Sequence, residues 1–254
     1  MILDQIVAYK NGHVASAFSL VEILLTLYHR MLRVDPQNPH WEERDYLILS
    51  KGHGCSALYA VLADAGFFPP AHLTAEQNGN ILGGHPDRHK VPGVEFSSGS
   101  LGHGLAVSCG LALAAVIDAR PHKIYCILGD GECQEGSVWE AALFAAHHQL
   151  DNLVVVIDGN GHQSSGDTDA IVSLFPLQAK WQAFGWHVQE IDGHSFSDLE
   201  KGFFSLPYSS LPHVIIARTQ KGKGVSFTET DNKWHTTVPS DAELSQAKRE
   251  LGLL

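Results

Sequence analysis

The chain has 254 residues, with 17 Lys+Arg against 28 Asp+Glu and a formal charge of −11. At 44% apolar and 18% charged it can bury a core and is not a disordered polyampholyte, and its acidity disfavours a nucleic-acid or anionic-membrane surface. Its four cysteines (Cys55, Cys109, Cys126, Cys133) form no CxxC pair, which fits a reduced, cytoplasmic chain with neither a disulfide framework nor a structural zinc site.

In chain order, residues 19–33 carry Leu20, Ile23, Leu24, Leu27 and Met31 on one helical face, with Ser19 and Glu22 spaced as a capping box. Residues 55–65 and 104–119 read as further helices. The apolar run 104–117 falls short of the roughly 20 residues of a membrane span. Between those two helices, residues 69–100 make a long Gly-, Pro- and His-bearing connection of the kind that is commonly functional. From residue 123 the pattern alternates. Strands are predicted at 123–128, 153–157, 186–191 and 214–217, and helices at 136–149, 177–184 and 197–204. Continuous apolar strands separated by helices predict a single α/β domain over 1–254, with a mostly parallel sheet covered by helices on both faces. The tail after Gly222 reads as irregular, and Cys133 as partly exposed in its turn.

Two features carry chemistry. Six of the 16 histidines follow a glycine (His13, His53, His85, His103, His162, His194), more than composition alone would give. Such turns suit a proton-handling site where the backbone approaches a polar ligand. Second, Asp130 directly follows one predicted strand and Asn160 the next. A right-handed crossover sets neighbouring parallel strands with their carboxyl ends side by side, where open α/β sheets bind ligands. A carboxylate, an amide oxygen and a carbonyl from the turn 159–162 would make three hard oxygen ligands for Mg²⁺. Gly129 and Gly131 would clear room for a phosphate.

These residues resemble the thiamine diphosphate signature. Their neighbours (Asn11-Gly12-His13, Ser50-Lys51-Gly52-His53-Gly54, Gly84-His85-Pro86, Leu101-Gly102 after Gly99, Gly129-Asp130-Gly131 with Gln134-Glu135-Gly136, Ala183-Phe184-Gly185-Trp186) follow the order seen in transketolases. The resemblance runs from about His13 to His235 and covers the diphosphate-binding domain alone. It implies a thiamine diphosphate-binding fold without the pyrimidine-binding and C-terminal domains. It also implies an N-terminal subunit of a split transketolase, completed by a C-terminal subunit in a heterotetramer that supplies the cofactor-activating glutamate. The implied reaction moves a two-carbon ketol unit from a ketose phosphate to an aldose phosphate on thiamine diphosphate and Mg²⁺, or Ca²⁺ or Mn²⁺ in its place.

By the same resemblance, Asp130, Asn160 and the His162 carbonyl are the metal ligands. Gly99, Ser100, Leu101, His103, Asp130, Gly131, Glu132, Asn160, His53 and His235 contact the cofactor. His13, His53, His85 and His235 are the catalytic and sugar-contacting set. Glu135 and Glu140 either meet the partner or serve as helix N-terminal charges. His103 stands where relatives usually have Gln, and Gly159 where many carry a polar residue. Lys221 and Lys223 either reach the diphosphate or belong to a solvated loop. Trp139, Trp181 and Trp186 read as core or interface aromatics. With Met1 only 12 residues before His13, the leading helix of the family is expected to be shortened. The competing readings are one chain of a deoxyxylulose phosphate synthase-like or oxoacid enzyme, and a silent cofactor-binding homologue. A dinucleotide fold is disfavoured, because GDGECQEG lacks GxGxxG.

Overall fold

The computed structural model of the chain describes residues 1–74, 81–206 and 210–254. Within them the strands are β1 (Tyr46–Leu49), β2 (Ile124–Gly129), β3 (Leu153–Gly159), β4 (His162–Gln163), β5 (Gly166–Asp167), β6 (His187–Asp192) and β7 (His213–Arg218). The main sheet runs β1-β2-β3-β7-β6 and every neighbouring pair is parallel. β4 and β5 form a separate antiparallel ribbon.

Each central strand is apolar throughout because both of its faces are covered. Tyr125, Ile127, Val154, Val156 and Ile215 pack on one side with helices Val21–Thr26, Cys55–Asp64 and Phe196–Phe204. Cys126, Leu128, Val155, Ile157 and Ile216 pack on the other with helices Gly104–Ile117, Gly136–His147 and Leu177–Ala183. Trp181 and Trp186 are buried in this second layer, and Trp139 stacks against Trp181 with ring centroids 5.3 Å apart. Among the described residues no helix is long and apolar enough to cross a membrane.

Three expectations need correction. The helix expected over 19–33 is instead helix Val21–Thr26 running into a π-helical turn Leu27–Met31, preceded by a separate short helix Val14–Phe18. Leu20, not Ser19, is the N-cap of helix Val21–Thr26, and Ser19 closes Val14–Phe18 instead. Its hydroxyl donates to Asp158 Oδ2 at 2.6 Å, a buried tertiary bond that outcompetes a local cap. The tail after Gly222 is not irregular: it forms helix Ser226–Thr230, a 3₁₀ turn Asn232–His235 and helix Asp241–Glu250, the last opened by a Ser240/Glu243 capping box. Cys133 is fully buried, and burial pushes its thiol well above the ordinary range. A helix, Ile2–Tyr9, precedes His13. Of the connection expected at 69–100, residues 75–80 lie outside the described residues.

Candidate active site

The site forms where β2 and β3 end. Gly129 pairs with Asp158, so Asp130 and Asn160 leave the sheet next to each other. Both side chains grip one turn. Asp130 Oδ1 accepts from Gly131 N at 2.7 Å and Oδ2 from Gly161 N at 2.6 Å, while Asn160 Oδ1 accepts from His162 N at 3.0 Å. Gly161 sits at φ +76°, a conformation that glycine adopts without strain. The acid, the amide and the turn bearing the His162 carbonyl are therefore brought together. The imidazole of His162 is exposed.

Beneath this turn lies a buried charge network built on Asp158. It is fully buried and paired with buried Lys51, and it accepts further bonds from Ser19, from Thr219 Oγ1 and from Asn160 Nδ2, the last at 3.3 Å. Lys51 is thus committed to Asp158. Among the described residues Asp130 has no ion-pair partner within salt-bridge distance, and burial together with the neighbouring Asp158 charge pushes its carboxyl up to about 6. Sequence reasoning gives Asp158 no role and carries Lys51 only inside a motif. The signal was there in a carboxylate closing an otherwise apolar strand, which cannot stay buried without a partner.

Glu132 also turns inward. Its carboxylate accepts from Ser50 Oγ, from Gly102 N at 2.9 Å and from Gly129 N at 3.0 Å, and burial raises its pKa. It ties the ends of β1 and β2 to the loop 99–102. Leu101 lines the resulting cavity, Gly99 and Ser100 are exposed beside it, and His103 is exposed with Nδ1 3.0 Å from the Leu101 carbonyl oxygen.

The cavity measures about 180 Å³ and is lined by Lys51, His53, Leu101, Asp130, Asn160 and His235 among others. Four histidines meet at one side of it. The His13 ring lies 5.4 Å from His53, 6.0 Å from His85 and 5.2 Å from His235, and His53 lies 5.2 Å from His235. Burial and neighbouring positive charge hold His13 and His235 down at about 4 and His53 well below the usual imidazole range, so these rings are neutral at pH 7. His85 is exposed at the outer end. Of the six Gly-His pairs, three join this cluster. His194 instead straps two elements, accepting from Gln220 N at 2.8 Å and facing Glu22 at 3.1 Å.

Lys221 is buried, and its Nζ donates to the Gln163 carbonyl at 3.2 Å and to Asn232 Oδ1 at 2.7 Å. Burial and the Lys51 charge lower it to about 8. Lys223 is exposed. Glu135 and Glu140 are exposed at the start of helix Gly136–His147, which also exposes Leu143 (58%) and Phe144 (40%). On the adjoining helix Gly104–Ile117, Val116 (52%) and Ile117 (74%) are exposed as well. No group of three or more His, Cys, Asp or Glu side chains able to hold a metal occurs among the described residues. A metal here would instead draw on one acid, one amide and a carbonyl. That mixed oxygen set suits a hard cation whose remaining ligands are phosphate and water. The Asp130 charge without a counter-ion and the unpartnered buried His13 Nδ1 fit such a guest.

Comparison with known proteins agrees with this geometry. Residues 1–254 match the thiamine diphosphate binding domain of transketolase. The chain is 46% identical over 242 residues to one subunit of an apulose-4-phosphate transketolase from Actinobacillus succinogenes, covering 95% of this chain and 88% of that one. It is 45% identical over 231 residues to one subunit of a 6-deoxy-6-sulfo-D-fructose transketolase from a Clostridium species, covering 90% and 84%. The solved transketolase from Leishmania mexicana superposes with a TM-score of 0.91 at 30% identity, over 99% of this chain but only 39% of that one. Transketolases are transferases that use thiamine diphosphate with a divalent metal. The chain belongs to the transketolase family and constitutes its thiamine diphosphate binding domain.

Proposed function

We propose that this chain is the N-terminal, diphosphate-binding subunit of a split transketolase. The observation that carries the reading is the convergence of Asp130 and Asn160 on one turn, with Asp130 lacking a counter-charge. Asp130, Asn160 and the His162 carbonyl would hold Mg²⁺, and the surrounding cavity the diphosphate. A cavity of about 180 Å³ is smaller than the roughly 300–1,000 Å³ of a complete small-molecule pocket. That supports a site finished by a second polypeptide carrying the pyrimidine-binding domain and the cofactor-activating glutamate. The exposed apolar side chains on helices Gly104–Ile117 and Gly136–His147, beside Glu135 and Glu140, suit the seat of another subunit in a heterotetramer. Two relatives are named as parts of transketolases for uncommon sugars, which supports a specialised ketose donor and aldose acceptor. The balance of charge and the reduced cysteines support a cytoplasmic setting.

When bound, thiamine diphosphate supplies the electron sink for carbon–carbon cleavage. The chain supplies proton handling. His13, His53 and His235, neutral at pH 7, can accept the proton of a ketose hydroxyl and return it to an aldehyde oxygen. The exposure of His85 at the outer end of the cluster supports a role in meeting sugar hydroxyls as they enter. The test is ketol transfer measured with the chain alone and after mixing with a pyrimidine-domain subunit. Turnover dependent on both polypeptides, magnesium and thiamine diphosphate is expected. Full turnover by the isolated chain would overturn the shared-site reading.

A further inference from the structure

We infer that Gln163 is an additional cofactor-binding residue, its carboxamide placed to donate to the diphosphate. The inference rests on the function proposed above. Gln163 lines the same cavity as Asp130 and Asn160. Its Oε1 is buried and has no hydrogen-bond partner, a costly state for an amide unless a ligand completes it. The side chain lies over Gly131: a Cβ built on that glycine would stand 3.0 Å from Gln163 Oε1 and 3.2 Å from its Cβ. The bare backbone after Asp130 therefore lets the Gln163 amide pack directly against Gly131 at the wall of the cavity.

The placement is fixed from the backbone. Gln163 pairs with Gly166 in the ribbon β4–β5, and its carbonyl is held by buried Lys221. Asn232 Nδ2 secures the next carbonyl, that of Ser164, at 2.6 Å. Strand alternation does the rest, with His162 turned out to solvent and Gln163 turned in. A carboxamide carries two N–H donors and one acceptor, and half a turn about its last bond exchanges them, so the group can offer N–H to an anionic oxygen. Side chains that merely fill space have no need of a polar end aimed at a glycine.

The experiment is calorimetric titration with thiamine diphosphate, at saturating magnesium, of the chain combined with its pyrimidine-domain subunit, for wild type, Gln163→Ala and Gln163→Glu. Loss of one hydrogen bond to a charged group should raise Kd about tenfold in Gln163→Ala. Gln163→Glu preserves size, sets a carboxylate against the diphosphate, and should weaken binding further. If Gln163→Ala proves poorly folded by its melting curve, the Gln163→Glu titration decides. Wild-type affinity or tighter in the decisive variant overturns the inference and leaves the proposed function standing. Absence of magnesium-dependent binding by wild type overturns the proposed function itself.

Discussion

Replacing Asp130 by Asn should separate the metal-binding reading from a purely structural one. In the cation-free chain the Asp130 carboxyl is raised from 3.8 to about 6 by burial and by Asp158. Its folded-state pKa lies above its unfolded value, so the protonated form fits the folded state. The ionised form costs stability progressively as pH rises from about 4 through 6. At about 1.4 kcal/mol per pH unit, that cost approaches 3 kcal/mol at pH 8. Asp130→Asn removes it. The variant must turn an amide N–H₂ toward either Gly131 N–H or Gly161 N–H, both donors, which forfeits a bond worth about 1–2 kcal/mol. The net expectation is a gain of about 1 kcal/mol at pH 8, a rise of roughly 2–4 °C in Tm for a domain of this size. At pH 5, where Asp130 is mostly protonated, the advantage should vanish. Thermal melts in chelator would read both values. Magnesium with thiamine diphosphate should then raise the Tm of wild type and leave the variant unmoved. A variant less stable than wild type at pH 8, or one stabilised equally by the ligands, would refute the reasoning.

Two further outcomes follow from the same network. Lys51→Met strands the fully buried Asp158 carboxylate and should cost about 3–5 kcal/mol in urea unfolding; a loss below about 1 kcal/mol would mean the pair is not desolvated. The histidine cluster sets an acid limit. His13 and His235 stand near 4, below the unfolded value of 6.5, so their contribution is complete above pH 6.5 and is lost as pH falls toward 4. Urea midpoints of wild type should drop across that window, and His13→Asn/His235→Asn should flatten the drop; an unchanged slope would exclude the pair as its source.

The strands β2, β3 and β7 could be read from the sequence because a parallel strand buried on both faces is a nearly unbroken apolar run, whereas β6 (His187–Asp192) is a half-exposed edge strand that carries Gln189 and Glu190. β1 escaped notice, being only four residues directly after Arg44 and Asp45. The broken helix at 19–33 had the right periodicity and the wrong boundary, because the Ser19 hydroxyl answers to Asp158, 139 positions away. Local signals cannot report a partner at that distance. The final helix does carry a local signal, the Ser240/Glu243 capping box, but its low apolar content hides the helical period behind it. At the site, the approach of Asp130 and Asn160 to one turn was legible because they follow neighbouring strand ends. The Lys51–Asp158 pair and the inward Gln163 depend on chain crossings and side-chain direction, which a linear reading does not contain.

Glu132 binds the two halves of the chain into one receptacle. It takes hydrogen bonds from residue 50, from the backbone at 102 and from the end of β2, so the wall of the cavity is assembled from segments far apart in sequence. A graft of residues 123–163 onto another sheet would carry Asp130, Asn160 and the Gly129 donor along, yet leave this carboxylate without its partners at 50 and 102. The transplanted turn would then have lost its mould. Swapping ligand specificity between such proteins therefore requires exchanging the N-terminal loops together with the strand–helix–strand unit.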